Sequence, residues 1–241
     1  MISIRSIIFN CLFYIILIAL MIVGLPTLLR GRHAVFALAR LWARVSLWLL
    51  RNICRLEVQF RGLENIPLGG YIIASKHQSF LETFALLVNA PDFAYVLKRE
   101  LTRIPLFGWY LTVSKQIAID RSRGRDALTV VTERAGEVLR DGRQVFIFPE
   151  GTRRPPGAAP QYKAGVSRLY SKTMFPCLPV ALNTGQFWPR RSFRRLPGIA
   201  VVEYLPVIQP GLARSKFADQ LQTEIEAACA RLYTEALAQK P

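Results

Sequence analysis

The chain has 241 residues and a formal net charge of +16, enough length for one sizeable core and enough charge to call for a polyanionic partner. Its mean hydropathy is nevertheless positive, +0.24, a balance that speaks against a soluble nucleic-acid binder and for an anionic membrane surface or a phosphorylated substrate, with no nucleic acid expected as partner. Four scattered cysteines without a CxxC pair, and only two histidines, His33 and His77, argue against a structural metal site; the cysteines read as reduced thiols, and no metal or resident cofactor is expected.

The first element is SIIFNCLFYIILIALMIVGLPTLL, residues 6–29, uncharged between Arg5 and Arg30. At 1.5 Å per residue it covers roughly 36 Å, enough to cross a ~30 Å hydrocarbon core. It is long for a signal-peptide core, and no small-x-small cleavage site precedes Arg30. Gly24 and Pro26 permit a bend near its end, so spanning and re-entrant arrangements both fit. Residues 33–53 read as a basic amphipathic helix. At 100° per residue, Arg40, Arg44, Arg51 and Arg55 fall within about 60° of one another. Trp48 and several leucines fill much of the remaining circumference. A solvated face of a core helix has the same pattern, but the position directly after a lipid-length run favours a headgroup boundary. The arginines that follow the first run outnumber Arg5 before it, and the positive-inside bias then puts the rest of the chain at the cytoplasmic face of the membrane. Residues 1–55 are thus expected to be a membrane anchor and residues 56–241 a globular domain.

From residue 56 the texture changes. LEVQF, YIIAS, FAYVLK, QIAID, QVFIF, CLPVAL and IAVVEYL read as strands, and residues 80–90, 124–141, 163–173 and 216–238 as helices. The alternation predicts an α/β domain: a mixed, mostly buried sheet flanked by helices, preceded by the N-terminal membrane-embedded helical segment.

Four segments carry chemistry. In SKHQSFLETF, His77 and Glu82 are five apart, too far round a continuous helix to meet. With Ser79 as N-cap, His77 lies in the preceding loop and folds back over the first turn, where Glu82 holds and polarises the imidazole. Ser79-Phe80-Leu81-Glu82 also matches the S-x-x-E capping box, in which Glu82 is simply a cap and His77 a polar loop residue. In QVFIFPEGTRR a strand ends at Pro149 and turns sharply through Glu150, Gly151, Thr152 and Arg153. Gly151 lets backbone approach a ligand closely, and Arg153 presents a fork suited to phosphate oxygens. KRELTRIPLFGWYL sets Lys98 and Arg99 beside an apolar, aromatic stretch, which suits a charged headgroup next to an acyl chain. LPVALNTGQFWPRRSFRR interleaves Arg190 and Arg191 with Trp188 and reads as a second membrane-contacting patch, with RNA stacking as its rival.

In that order, HQSFLE, KRELTRIPLFG, FPEGTR and LPVALN resemble the four motifs of the glycerolipid acyltransferases over roughly residues 56–210. Within them the similarity is to the branch that acylates lysophosphatidate. The resemblance implies that the domain transfers a fatty acyl chain from acyl-CoA or acyl carrier protein, as co-substrate, to the sn-2 hydroxyl of 1-acyl-glycerol-3-phosphate. It gives His77 the general-base role and Glu82 that of acidic partner, in place of the commoner aspartate one methylene shorter. Lys98, Arg99 and Arg153 would bind the acceptor phosphate, with Glu150, Gly151 and Thr152 shaping that pocket, and the Pro179–Asn183 strand would flank the donor. No G-x-S-x-G elbow frames a serine nucleophile, so the implied transfer is direct. Another lysolipid acceptor is an alternative. In a different class, a basic membrane-associated binding protein would explain the charge but not His77, Glu82 and FPEGTR together.

Overall fold

The β-branched and aromatic runs after residue 56 form seven strands in the computed structural model, which describes residues 2–120 and 124–238. They are β1 Leu56–Arg61, β2 Tyr71–Ser75, β3 Phe93–Lys98, β4 Ile117–Ile119, β5 Gln144–Ile147, β6 Cys177–Leu182 and β7 Gly198–Tyr204. The α-helices are α1 Ile2–Val23, α2 Leu25–Leu29, α3 Arg32–Leu49, α4 Leu81–Ala85, α5 Phe107–Val113, α6 Gly124–Arg140, α7 Ala164–Thr173 and α8 Arg214–Ala238. The strands lie side by side in the order β1-β7-β6-β2-β5-β3-β4. Every pair is parallel except β6 with β7. β2 and β6 are buried at every position, which is why they read as unbroken apolar runs without alternation.

One sheet face packs mainly on α1, α3 and α4, the other on α6, α7 and α8. Residues 2–54 therefore share a core with the sheet. On α1, Ser6, Phe9 and Phe13 follow the three-and-four spacing of one helix face and are buried. Phe13 meets Trp42, Phe84 and Trp188 at ring-centroid distances of 5.1, 5.6 and 5.9 Å. The polar pair on this face is used: Ser6 Oγ accepts from Arg195 N at 2.8 Å, and Asn10 Oδ1 accepts from Arg195 Nη2 at 2.7 Å. The opposite face leaves Ile4, Ile7, Ile15, Ile18 and Ile22 exposed. Ile2–Val23 and Arg32–Cys54 are each long and apolar enough to cross a membrane.

The apolar run breaks at Gly24, with Pro26 in the first turn of α2. The basic helix runs the expected length, to Cys54, but its last turn is not α-helical. α3 passes at Leu50–Cys54 into a π turn, whose larger number of residues per turn shifts Arg51 from the α-helical register of Arg40 and Arg44, and Arg55 follows it in the left-handed conformation. Arg44, Trp48, Arg51 and Arg55 are exposed, whereas Arg40 is half-buried and donates to the Pro91 carbonyl at 2.7 Å. The expected helix 80–90 is shorter: α4 tightens into a 3₁₀ turn at Leu86–Asn89, because Pro91 forces residue 90 into an extended conformation.

Candidate active site

The parallel neighbours β6, β2, β5 and β3 deliver their C-terminal ends to one edge of the sheet, where α/β folds form their ligand crevices. Residues 76–80 leave β2 there, Phe148–Arg154 leave β5, Asn183–Gly185 leave β6, and Lys98 ends β3.

His77 sits in the loop before α4, its side chain 12% exposed, and its ring stacks on Phe148 with centroids 3.9 Å apart. Its Nδ1 lies 2.9 Å from Glu82 Oε1. The same oxygen accepts the backbone N–H groups of Gln78 and Ser79, each at 2.7 Å, and Oε2 accepts the Thr184 hydroxyl at 2.6 Å. Ser79 Oγ accepts from Leu81 N at 3.1 Å. Cap and partner are thus one arrangement: the fully buried carboxylate satisfies the orphan donors ahead of α4 while it holds the imidazole. A carboxylate accepts only, so Nδ1 carries the proton and Nε2 presents its lone pair.

The loops around His77 are locked to it. Arg154 N donates to the His77 carbonyl at 2.8 Å, and Gly185 N donates to Gln78 Oε1 at 3.1 Å. A Cβ on Gly185 would stand 2.8 Å from Gln78 Cβ, so only glycine permits this approach. Gly151 turns the chain after β5 with φ +64°, in the left-handed region. On the far side of the loop, buried Lys76 is held between Glu150 at 3.2 Å and Glu226 of α8 at 2.6 Å.

His77 opens on a cavity of about 1000 Å³. Its walls are mostly apolar side chains of α1 and α3 to α7 and of β3; Gly151 and Thr152 also line it, and Lys98, Arg153, Lys163 and Arg190 bring four cations to it. Burial and the neighbouring Arg190 lower the Arg153 pKa from its usual value, while Glu82 opposes the shift.

A family profile described as "Acyltransferase" matches residues 57–183, which include the loops after β2, β3 and β5 and end at Asn183, where the loop after β6 begins. The chain belongs to the acyltransferase family. Its similarity extends to curated members. It is 42% identical over 167 residues to the 1-acyl-sn-glycerol-3-phosphate acyltransferase of Pseudomonas aeruginosa, covering 69% of this chain and 65% of that protein. It is 31% identical over 157 residues to the 1-acyl-sn-glycerol-3-phosphate acyltransferase alpha of Mus musculus, covering 64% and 55%. The matches thus span about half to two thirds of the length of these relatives. The crystal structure of the 1-acyl-sn-glycerophosphate (LPA) acyltransferase, PlsC, from Thermotoga maritima has the same fold. Its TM-score is 0.82 over 97% of this chain and 98% of that one, at 23% identity.

Among the residues singled out from the family motifs, His77, Lys98, Gly151, Thr152 and Arg153 line one cavity, and Glu82 stands behind His77. Two are turned elsewhere. Arg99 pairs with Asp120 at 3.0 Å, and Glu150 is buried against Lys76, so neither lines the cavity. The expectation that Trp188 touches lipid is corrected. It is 6% exposed, packed among Phe9, Phe13, Phe80 and Phe84 with the Arg195 guanidinium 3.6 Å from its ring centroid. Arg190 and Arg191 are both exposed, but only Arg190 lines the cavity, and it donates to the Arg153 carbonyl at 3.0 Å. Sequence reasoning missed Thr184, Lys76 and Lys163. The Asn183-Thr184-Gly185 step after β6 carried a signal, since small polar residues at the end of a buried parallel strand belong to the crevice edge.

Proposed function

We propose that this protein transfers an acyl group from a thioester donor to the free sn-2 hydroxyl of 1-acyl-glycerol-3-phosphate, forming phosphatidic acid. The observation that carries the reading is the His77–Glu82 pair at the mouth of an apolar cavity ringed by cations. His77 Nε2 takes the proton of the hydroxyl as its oxygen attacks the thioester carbonyl. The tetrahedral adduct collapses, the C–S bond breaks, and the thiolate leaves with the proton from the imidazolium. A positioned base is worth about 10²–10⁴ in rate. Glu82 holds the tautomer and steadies the imidazolium. Arg153 and Lys98 receive the acceptor phosphate, and the apolar walls receive acyl chain.

The similar proteins of Pseudomonas aeruginosa and Mus musculus are 1-acyl-sn-glycerol-3-phosphate acyltransferases, which supports this substrate class. Acyl-CoA and acyl carrier protein both fit as donor, and the lipid substrates and the exposed apolar face of α1 fit membrane association, with the catalytic domain at the cytoplasmic face. The test is an assay of purified protein in detergent with radiolabelled acyl-CoA, acyl carrier protein thioester and a panel of lysolipids. Phosphatidic acid formed from lysophosphatidate, and lost in His77→Ala, is the expected result. A binding protein without catalysis would yield no thioester-dependent product from any acceptor.

A further inference from the structure

Arg153 and Arg190 line the same cavity as the base. Arg154 N bonds the His77 carbonyl, and the carbonyl of the preceding residue, Arg153, receives Arg190 Nη1. Arg190 is thus two hydrogen bonds away from His77 along the chain of contacts. The Arg153 guanidinium lies over the Phe80 ring at 5.3 Å, and among the described residues neither Arg153 nor Arg190 forms an ion pair. Glu82 is the carboxylate nearest in effect to Arg153, but four donors already occupy it. Two like charges held together on a cavity wall without a counter-charge repel until an anion joins them.

We propose that Arg190 is the second arm of the acceptor site, and that with Arg153 it clamps a dianionic phosphomonoester. The inference rests on the lysolipid-acylating reading above. Two guanidinium forks match the oxygens and the double charge of a monoester better than the single charge of a phosphodiester. The geometry selects between two possible sources of such a group. A glycerol 3-phosphate lies one carbon beyond the sn-2 carbon whose hydroxyl meets His77. The 3′-phosphate of coenzyme A lies a whole pantetheine arm from the thioester. A clamp tied to the backbone of His77 suits the first. Arg190 then sets acceptor specificity and makes no contact with the reacting atoms.

The test compares wild type with Arg190→Gln, Arg190→Lys and, as control, Arg191→Gln, which alters an exposed arginine outside the cavity. KM and direct binding are measured for micellar 1-acyl-glycerol-3-phosphate, 1-acyl-glycerophosphocholine and monoacylglycerol, with acyl-CoA and 3′-dephospho-acyl-CoA as donors. The expected result is a KM for the phosphomonoester raised about tenfold or more in Arg190→Gln, part of it recovered in Arg190→Lys. Its kcat, its KM for either donor and the phosphate-free acceptor, and the whole Arg191→Gln profile stay near wild type. An unchanged KM for the phosphomonoester overturns the proposal, as does an equal rise for monoacylglycerol. A rise confined to acyl-CoA and absent with the dephospho donor assigns Arg190 to the donor and also overturns it. Direct binding separates this failure from that of the proposed reaction: wild type that acylates nothing but binds the monoester in an Arg190-dependent way sinks the reaction and keeps the clamp. Binding with no preference for the monoester sinks the clamp.

Discussion

Glu82→Gln separates the two duties that one carboxylate performs. The substitution is isosteric at a fully buried site, and the retained carbonyl oxygen still accepts from Gln78 N, Ser79 N and His77 Nδ1. The new amide faces Thr184 Oγ1, which reverses from donor to acceptor by rotating its hydroxyl. The bonds survive but lose their charge assistance. Neutral bonds are roughly half as strong as charged ones, so the loss is about 1–3 kcal/mol, a fall in Tm on the order of 2–10 °C for a chain of this size. A capping box read from sequence alone, in which glutamine serves as well as glutamate, gives almost no fall. The difference is the complete burial of this carboxylate. The chemistry should suffer far more. Without the negative charge the imidazolium that forms during transfer has no counter-charge, and the neutral carbonyl holds and polarises the Nδ1–H less strongly. The rate should then drop by about 10²–10⁴, the span that a positioned base contributes. Glu82→Asp keeps the charge, shortens the reach by one methylene and should retain partial activity. Initial rates and melting curves for both variants decide the matter. A Gln variant with wild-type kcat would show that the carboxylate is a cap only and that His77 is oriented by something else.

Three further outcomes are expected. Thr184→Val removes the donor to Glu82 Oε2 and should lower kcat about tenfold while sparing both KM values, and Thr184→Ser should restore most of it; a Val variant with unchanged kcat would show that the hydroxyl does not serve the dyad. Lys76→Met strands Glu150 and Glu226 without their cation and should cost about 3–5 kcal/mol, visible as a large fall in Tm, whereas Glu226→Gln, at a site 26% exposed, should cost less; equal melting of the two variants would refute the buried-network argument. Replacing Arg44, Arg51 and Arg55 with Gln should weaken binding to anionic vesicles by about 1 kcal/mol per charge at low salt, whereas Arg40→Gln should act on melting through its bonds to the residue 90–91 turn; partitioning of the triple variant identical to wild type at every salt concentration would refute the interfacial role.

The strands and long helices were legible because each carries its own period or apolar run, and so was the pairing of the histidine loop with FPEGTR as motif chemistry. The misplacements have one physical origin. Burial depends on partners distant in sequence. Trp188 lies in an arginine-rich stretch and looks like an interfacial anchor, but Phe9 and Phe13 come down on it from α1 some 180 residues earlier. Ser6 and Asn10 vanish inside an apolar run until the helix is drawn and they fall on the face of Phe9 and Phe13, where Arg195 meets them. Glu150 sits in a charged turn that reads as ligand-facing, yet its partner Lys76 is a neighbour of His77, and no spacing rule joins the two.

Strand order accounts for the division of labour in the site. The four motifs occur in the chain as β2, β3, β5 and β6, but in the sheet β2 stands between β5 and β6, with β3 beyond β5. The loop of His77 therefore touches the loops after β5 and β6 directly. Phe148 and Arg154 meet His77 on one side, and on the other Thr184 meets Glu82 while Gly185 meets Gln78. Lys98 and Arg99, although closest to His77 in the chain among the motif cations, are two strands away. One of them reaches the cavity and the other pairs with Asp120. Guanidinium groups anchored to the adjacent loop can hold a phosphate borne on the carbon next to the one with the reacting hydroxyl, whereas a lysine two strands off, on its flexible stem, adds attraction at longer range. On the proposed reading the arginines after β5 and β6 would fix the position of the acceptor, and Lys98 would draw its charge into the cavity.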